Sequence, residues 1–431
     1  MIARAEPVTD VEGRAYRTIT VRLMPLLFAC YILAYLDRIN VGFAVLQMRE
    51  QLGLGDRVYG RAAGIFFAGY FLFQLPSNLA LERFGVRRWI SGLMVAWGIV
   101  SCLMLLVRGP RSFYLLRFLL GAAEAGFFPG IIFYMKRWFP STARARAVAW
   151  FMTANPLAGV VGSPISGALL GLHGSGLAGW QWMFLIEGVP AILLGVMVSR
   201  VLTERPEDAT WLSGAQREWL LNTLTAENAS GAAPPDGSVL RVLVSWRIWM
   251  LSLVYFGVAT TMYGVTLWLP SLIHGLSGMS YFATGVVAMG PFLVTAVAMV
   301  AVGAHSDRTG ERRWHVAGSA GLGAMGLTAA AFGSTPTMQI AGVTIGLACG
   351  ECMAGPFWAM ASSCMAGLDA AVAIAMINSV ANLGGYFGPD IIGFFRSANG
   401  GFRGGLLAIA ATLATSGVIA LYVSRERANP E

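Results

Sequence analysis

Four charged side chains interrupt segments that are otherwise apolar. Asp37 and Arg38 fall in "AYLDRINV" (34–41), and Arg117 and Glu124 fall in "RFLLGAAEAGFFPG" (117–130). A charge at the centre of a bilayer costs roughly 2.5–3.5 kcal/mol on insertion scales, so residues kept there are functional candidates. Two acids and two bases balance to zero, which requires the two segments to pack together. Adjacent helical residues point about 100° apart, so Asp37 and Arg38 face different neighbours. Arg38 shares a face with Tyr35 and Tyr31. One guanidinium with two phenols suits a carboxylate held beside aromatic rings. Arg117 and Glu124 share a face but stand two turns apart, which leaves Asp37 as the expected partner of Arg117. A buried carboxyl whose proton affinity depends on a nearby arginine has the property a proton carrier requires. A fixed ion network that merely orients the two helices is the competing reading.

Three further acids sit in apolar sequence. Glu351, in "LACGECMAG", is seven residues before Trp358 and on roughly the same helical face, where it is expected to line a cavity. Glu187 and Asp390 carry no assigned role, and Glu187 is expected near the outer end of its helix. Cys349 and Cys352 form "CGEC", but without a second such pair or a nearby histidine they read as small apolar residues one turn apart. The four histidines, His173, His274, His305 and His315, are dispersed. No nucleophile with its base, metal site or phosphate loop stands out, so no enzyme activity and no metal or other cofactor is expected.

These residues need helices to position them, and the composition supplies helices of one kind. Of 431 residues, 56% are hydrophobic and 12% charged, about half the charged share of a soluble domain. Mean hydropathy is +0.64. Apolar stretches of spanning length recur throughout, so the chain reads as an all-α, multi-pass membrane protein whose lipid contact is obligatory. Twelve spans are expected, at about 22–47, 58–81, 88–107, 112–135, 146–170, 180–202, 248–272, 281–304, 314–333, 338–361, 371–395 and 402–424. They make an N-terminal tail (1–21), a six-helix bundle (22–202), a central loop (203–247), a second bundle (248–424) and a tail (425–431). The central loop carries an expected short amphipathic helix and a turn-rich linker, "NASGAAPPDG" (228–237). With both termini inside, 21 of the 30 Lys and Arg residues are cytoplasmic, seven lie outside and two lie within spans. That bias predicts an N-in, C-in topology. The net charge of +8 comes from scattered arginines, not from a basic run that would point to nucleic acid.

An internal repeat supports the two-bundle division. "NLALERFGVRR" (78–88) follows span 2 and "GAHSDRTGERR" (303–313) follows span 8. Each places an acid, an arginine and a glycine turn together: Glu82, Arg83 and Gly85, then Asp307, Arg308 and Gly310. The acid is expected near a helix N-terminus and the loops are expected to gate the cytoplasmic side. This loop resembles the signature of the major facilitator superfamily, G-x-x-x-D-R-x-G-x-R-R. The second copy fits in full; the first has Asn78 for glycine and Glu82 for aspartate. "YLDRIN", "ERFGVRRW", "RFLLGAAEAGFFPG", "WQWMFLIEGVPA" and "RPEDATWLS" together resemble the anion:cation symporter branch. That branch includes bacterial sugar-acid, tartrate and aromatic-acid permeases and is similar to sialin and the vesicular glutamate carriers.

The resemblance implies proton coupling through Asp37 and Glu124 with Arg117 as charge partner, and substrate-carboxylate binding by Arg38. It also implies a pocket of Tyr35, Tyr70, Asn155, Trp358 and Asn378; Asn155 departs from the glutamine of some sugar-acid members. The expected protein is a proton-coupled symporter in a bacterial inner membrane, working as a monomer by rocker-switch alternating access. It would import an aldonate or a tartrate-like hydroxy acid. The alternatives are an organic anion exchanger or exporter, suggested by "GVVGSPISG" in span 5, an aromatic-carboxylate permease, and more remotely a transporter-like nutrient sensor.

Overall fold

The computed structural model describes residues 10–230, 239–365 and 370–425. Within them the chain forms helices and short turns, with one isolated bridge between Gly174 and Leu177. In an apolar solvent a helix satisfies its own backbone groups, and the long apolar segments take that course.

The twelve spans fall where expected, four of them in two pieces. Span 1 is Asp10–Ile39 and Val41–Leu52, span 2 Asp56–Phe84, and span 3 Val86–Leu103 with a 3-10 turn Met104–Leu106. Span 4 is Pro110–Glu124 and Phe127–Trp138, span 5 Ser141–Met152 and Ala154–Leu169, and span 6 Gly179–Val201. Spans 7, 8 and 9 are Trp246–Ser277, Tyr281–Thr309 and Arg313–Phe332. Span 10 is Pro336–Cys352 and Ala354–Cys364, span 11 Ala370–Asn399 and span 12 Arg403–Arg425. Span 1 starts at Asp10, so part of the polar segment read as a tail is helical. Among the described residues, nine of the spans are long and apolar enough by length and composition to cross a membrane. Spans 5, 9 and 11 are rich in Gly, Ala and Ser.

Those small residues let backbones approach. Span 2 crosses span 4 where Gly69 meets the Phe118 carbonyl and Gly121 meets the Phe66 carbonyl; a methyl at either glycine would overlap that oxygen. Span 3 packs on span 6, span 7 on span 11, and span 9 on spans 10 and 12. The first six helices meet the last six where span 2 touches span 11, span 5 touches span 8, and the second piece of span 1 touches span 7.

Ion pairs join the two sets at one end only among those described. Asp56 pairs with Arg49 and, at 3.2 Å, with Arg396 of span 11, while Arg61 lies 3.6 Å from Asp390. The Trp268 indole donates to the Pro389 carbonyl at 3.0 Å in the same region. This end lies opposite the repeated glycine-turn loops.

In those loops Gly85 (φ 83°) and Gly310 (φ 69°) both have positive φ, which explains glycine at both turns. The acids that cap the following helices are not the expected ones. Glu204, from the segment after span 6, accepts the Val86 and Arg87 backbone N–H groups at 2.8 and 2.9 Å. Glu311 accepts those of Trp314 and His315 at 2.7 and 3.2 Å. Asp307 instead pairs with Arg312 at 2.7 Å. The first cap therefore comes from a carboxylate distant in sequence and the second from one within the turn itself, each set at exposed N–H groups. The amphipathic helix of the central loop is Gly214–Ser230, anchored on span 1 by Trp219 against Tyr16. Most of the expected linker, from residue 231 on, lies outside the described residues.

Candidate functional site

The breaks in the spans fall beside the candidate residues. Asn40 follows Asp37 and Arg38, Ala125 follows Glu124, Thr153 precedes Asn155, and Met353 follows Glu351. A helix interrupted at membrane depth is tolerated where it is buried in protein or lines a cavity.

Arg38 and Glu124 form the centre. The arginine Nε donates to Glu124 Oε2 at 2.7 Å, with both side chains buried. The guanidinium lies 5.0 Å from the Tyr70 ring centre and 5.6 Å from that of Phe66. Arg38 Nη2 and Glu124 Oε1 are buried without a hydrogen-bond partner among the described residues. A cation with donor capacity left over, beside phenols, is what a carboxylate ligand needs.

The expected Asp37–Arg117 pair does not form. Asp37 Oδ1 accepts from Ser101 Oγ at 2.7 Å and from Asn40 Nδ2 at 3.4 Å. Arg117 also lies against the Phe66 ring, 4.9 Å from its centre, and its Nε donates to the Ala62 carbonyl at 3.4 Å. Both guanidiniums thus contact the Phe66 ring, and span 3 supplies a hydroxyl where an arginine was expected. Cation–π contact stabilises each arginine partially without removing its charge.

The remaining candidates divide. Tyr35 is buried, and with Tyr255 and Tyr263 of span 7 it lies within electrostatic reach of buried Glu351. Tyr263 also lies in the field of Arg38. Trp358 stands edge-on to Tyr255 at 5.1 Å. The break at Met353 interrupts the helical face expected to carry Glu351 and Trp358; Tyr255 contacts Trp358 and lies in the field of Glu351. Tyr31 stacks on Phe151 at 4.5 Å, and Asn155 is buried near the span 5 break. Asn378 is half-buried, and its Nδ2 donates one turn back to the Ile374 carbonyl at 3.1 Å.

Sequence reasoning missed Phe66, Tyr263, Tyr255, Ser101 and Asn40. The last was legible in "YLDRIN" as an amide one turn from Asp37. The others carry no signal beyond being polar or aromatic within a span. Asp390, left without a role, lies near Arg61, and Glu187 is buried and hydrogen-bonded. All five cysteines are free.

The comparisons agree with this architecture. Residues 27–389 match the Major Facilitator Superfamily. An Agrobacterium vitis protein named "Putative tartrate transporter" is 48% identical over 96% of this chain and 92% of its own length. An Acinetobacter baumannii "Quinolone resistance transporter" is 37% identical over 96% of this chain and 95% of its own length. The solved structure of a bacterial homologue of the human lysosomal transporter Spinster, inward-facing and unoccupied, superposes with a TM-score of 0.76. It is 18% identical, covering 94% of this chain and 97% of that one, and so speaks to the fold. The chain belongs to the major facilitator superfamily and is a multi-pass membrane transporter, not an enzyme.

Proposed function

We propose that the protein is a proton-coupled symporter that imports a small organic carboxylate, an aldonate or a tartrate-like hydroxy acid, across a bacterial inner membrane. The observation that carries this reading is the buried Arg38–Glu124 pair beside Asp37 and Tyr70. Proton and anion compete there for the same arginine. With Glu124 ionised, Arg38 is committed to it. A proton on Glu124 dissolves the pair and leaves an uncompensated buried cation, which a substrate carboxylate then satisfies. Asp37 takes up a second proton from the outside. Occlusion and inward opening follow, and loss of both protons to the cytoplasm restores the pair.

In this reading the halves 22–202 and 248–424 rock against one another within a monomer, and the basic loops face the cytoplasm. The form described, held together at the outer end by Asp56, Arg49 and Arg396, is the inward-open one. Tyr35, Asn155, Trp358 and Asn378 orient the substrate hydroxyls, and Glu351 faces them from span 10. The 48% identity to a tartrate-named transporter supports the substrate class.

Thermal-shift screening of sugar acids, tartrate and aromatic carboxylates at two pH values tests the substrate. Stabilisation by a hydroxy acid that Arg38→Lys abolishes is expected; stabilisation only by apolar cations would defeat the proposal. The second reading, exchange or efflux, draws on the relative named for quinolone resistance. Counterflow undiminished by loss of the pH gradient, with no proton movement, would favour it.

A further inference from the structure

The buried charges of the first six helices do not balance once Glu187 is counted. Arg38 is matched by Glu124, leaving Asp37 and Glu187 against Arg117, and all five are buried. Arg117 touches neither acid: its contacts are the Phe66 ring and the Ala62 carbonyl. Glu187 has hydrogen-bond donors but no cation. Ser166 Oγ donates to its Oε1 at 2.7 Å and Asn40 Nδ2 to its Oε2 at 2.9 Å. The same Asn40 amide nitrogen reaches Asp37 Oδ1 at 3.4 Å. Two carboxyls therefore share the two hydrogens of one amide at the break in span 1. Asn40 Oδ1 and Asp37 Oδ2 are buried in this network with no donor among the described residues.

Other titratable groups around Glu187 do not change the count. From the elements packed on span 6, span 1 contributes Asp37 and Arg38, with Arg49 and Glu50 more than two turns beyond Asn40. Span 3 contributes Cys102, whose Sγ points at the Leu185 carbonyl, and Arg87 and Arg88 at its far end. The second piece of span 5 and the turn Met104–Leu106 carry none. Two ionised carboxylates around one amide, without a contacting cation, would be a heavily penalised arrangement in an apolar interior. A single proton held by the pair makes these five groups neutral.

We infer that Glu187 is a proton-exchanging group paired with Asp37 through Asn40, the two carboxyls holding one proton between them. This rests on the proton-coupled reading above and adds a residue to it. A proton arriving at either carboxyl supplies the donor hydrogen that the buried acceptors lack. Its departure leaves one excess negative charge, which favours reloading of the pair. Coupled sites of this kind titrate jointly, so altering one must change the other.

Infrared difference spectroscopy of the full-length protein in liposomes, with pH steps, reads the carboxyl carbonyl bands directly. Carbon-13 glutamate separates glutamate bands from aspartate bands. Glu187→Gln is expected to remove one glutamate band and to shift the titration midpoint of the Asp37 band, which Asp37→Asn identifies. Where Glu187→Gln does not fold, Ser166→Ala removes one hydrogen bond from the same carboxyl and is expected to shift the Glu187 band. Bands and midpoints unchanged in the folded variant overturn the inference. Uptake of labelled tartrate driven by a pH gradient tests the underlying reading separately. If Asp37→Asn and Glu124→Gln abolish it while the Glu187 spectrum stays unchanged, the inference alone fails. If both variants retain it, symport fails whatever the spectrum shows.

Discussion

Arg38 and Glu124 hold each other in an environment where neither charge is stable alone. Removing one partner of a buried pair leaves the other uncompensated, at a cost of about 3–5 kcal/mol. Arg38→Ala is therefore expected to destabilise the detergent-solubilised protein by that order, and R38A/E124A by less than R38A alone. Additive losses in the double-mutant cycle would show that the pair is not coupled. The membership of this charge set was legible in the sequence because Asp37, Arg38, Arg117 and Glu124 are conspicuous against an apolar background. Their pairing was not. Which charges meet depends on how each helix is rotated and on what intervenes. Here the Phe66 ring takes a contact from Arg117 and Ser101 donates to Asp37. Neither Phe66 nor Ser101 differs in type from dozens of residues elsewhere in the spans.

Helices carry these residues to their positions through glycine contacts and carboxylate caps. Gly121 lies against the Phe66 carbonyl, three residues before Glu124 and on the helix that holds Arg117. Gly121→Ala forces spans 2 and 4 apart, with an expected loss of about 1–3 kcal/mol by overpacking and loss of transport. Wild-type stability and uptake would contradict this crossing. Glu204→Ala removes the cap of span 3 and is expected to lower stability by about 0.5–2 kcal/mol, read from thermal unfolding. Glu311, in the second of the repeated loops, provides a pH test. Burial alone would raise its carboxyl, but the Trp314 N–H and the His315 side chain and N–H outweigh that and hold it below its ordinary 4.5. Its contribution is thus in place above pH 4.5 and lost as pH falls below it through the lowered value. The melting temperatures of E311Q and wild type should differ at neutral pH and converge in acid; a constant gap would contradict the cap. Span limits were legible because hydropathy and turn residues mark them. The caps were less so, since Glu204 comes from 118 residues along the chain and meets its helix only after folding.

On the scale of the whole molecule, Asp56 between Arg49 and Arg396, with Trp268 and Phe402 against the second arginine, ties the two halves together at the end that the proposed topology places outside. Asp56→Asn weakens this closure and is expected to populate an outward-open form. Spin labels at the outer ends of spans 2 and 11 should then report a longer distance than in wild type. An unchanged distance distribution would remove the cluster from the gate. The twelve helices, the repeated loop and the transporter class were all legible in the sequence, because membrane burial imposes a coarse and regular pattern. Which side is closed was not, because one sequence must stabilise both states about equally. The central claim is that carboxylate and proton cross together through Arg38 and Glu124. Its most direct measurement uses proteoliposomes carrying an entrapped pH indicator and no initial pH gradient, to which labelled tartrate is added outside. Tartrate entry with matching acidification of the interior is predicted for wild type, with both lost in Glu124→Gln. Tartrate entry without proton movement, or unchanged co-movement in Glu124→Gln, would contradict it.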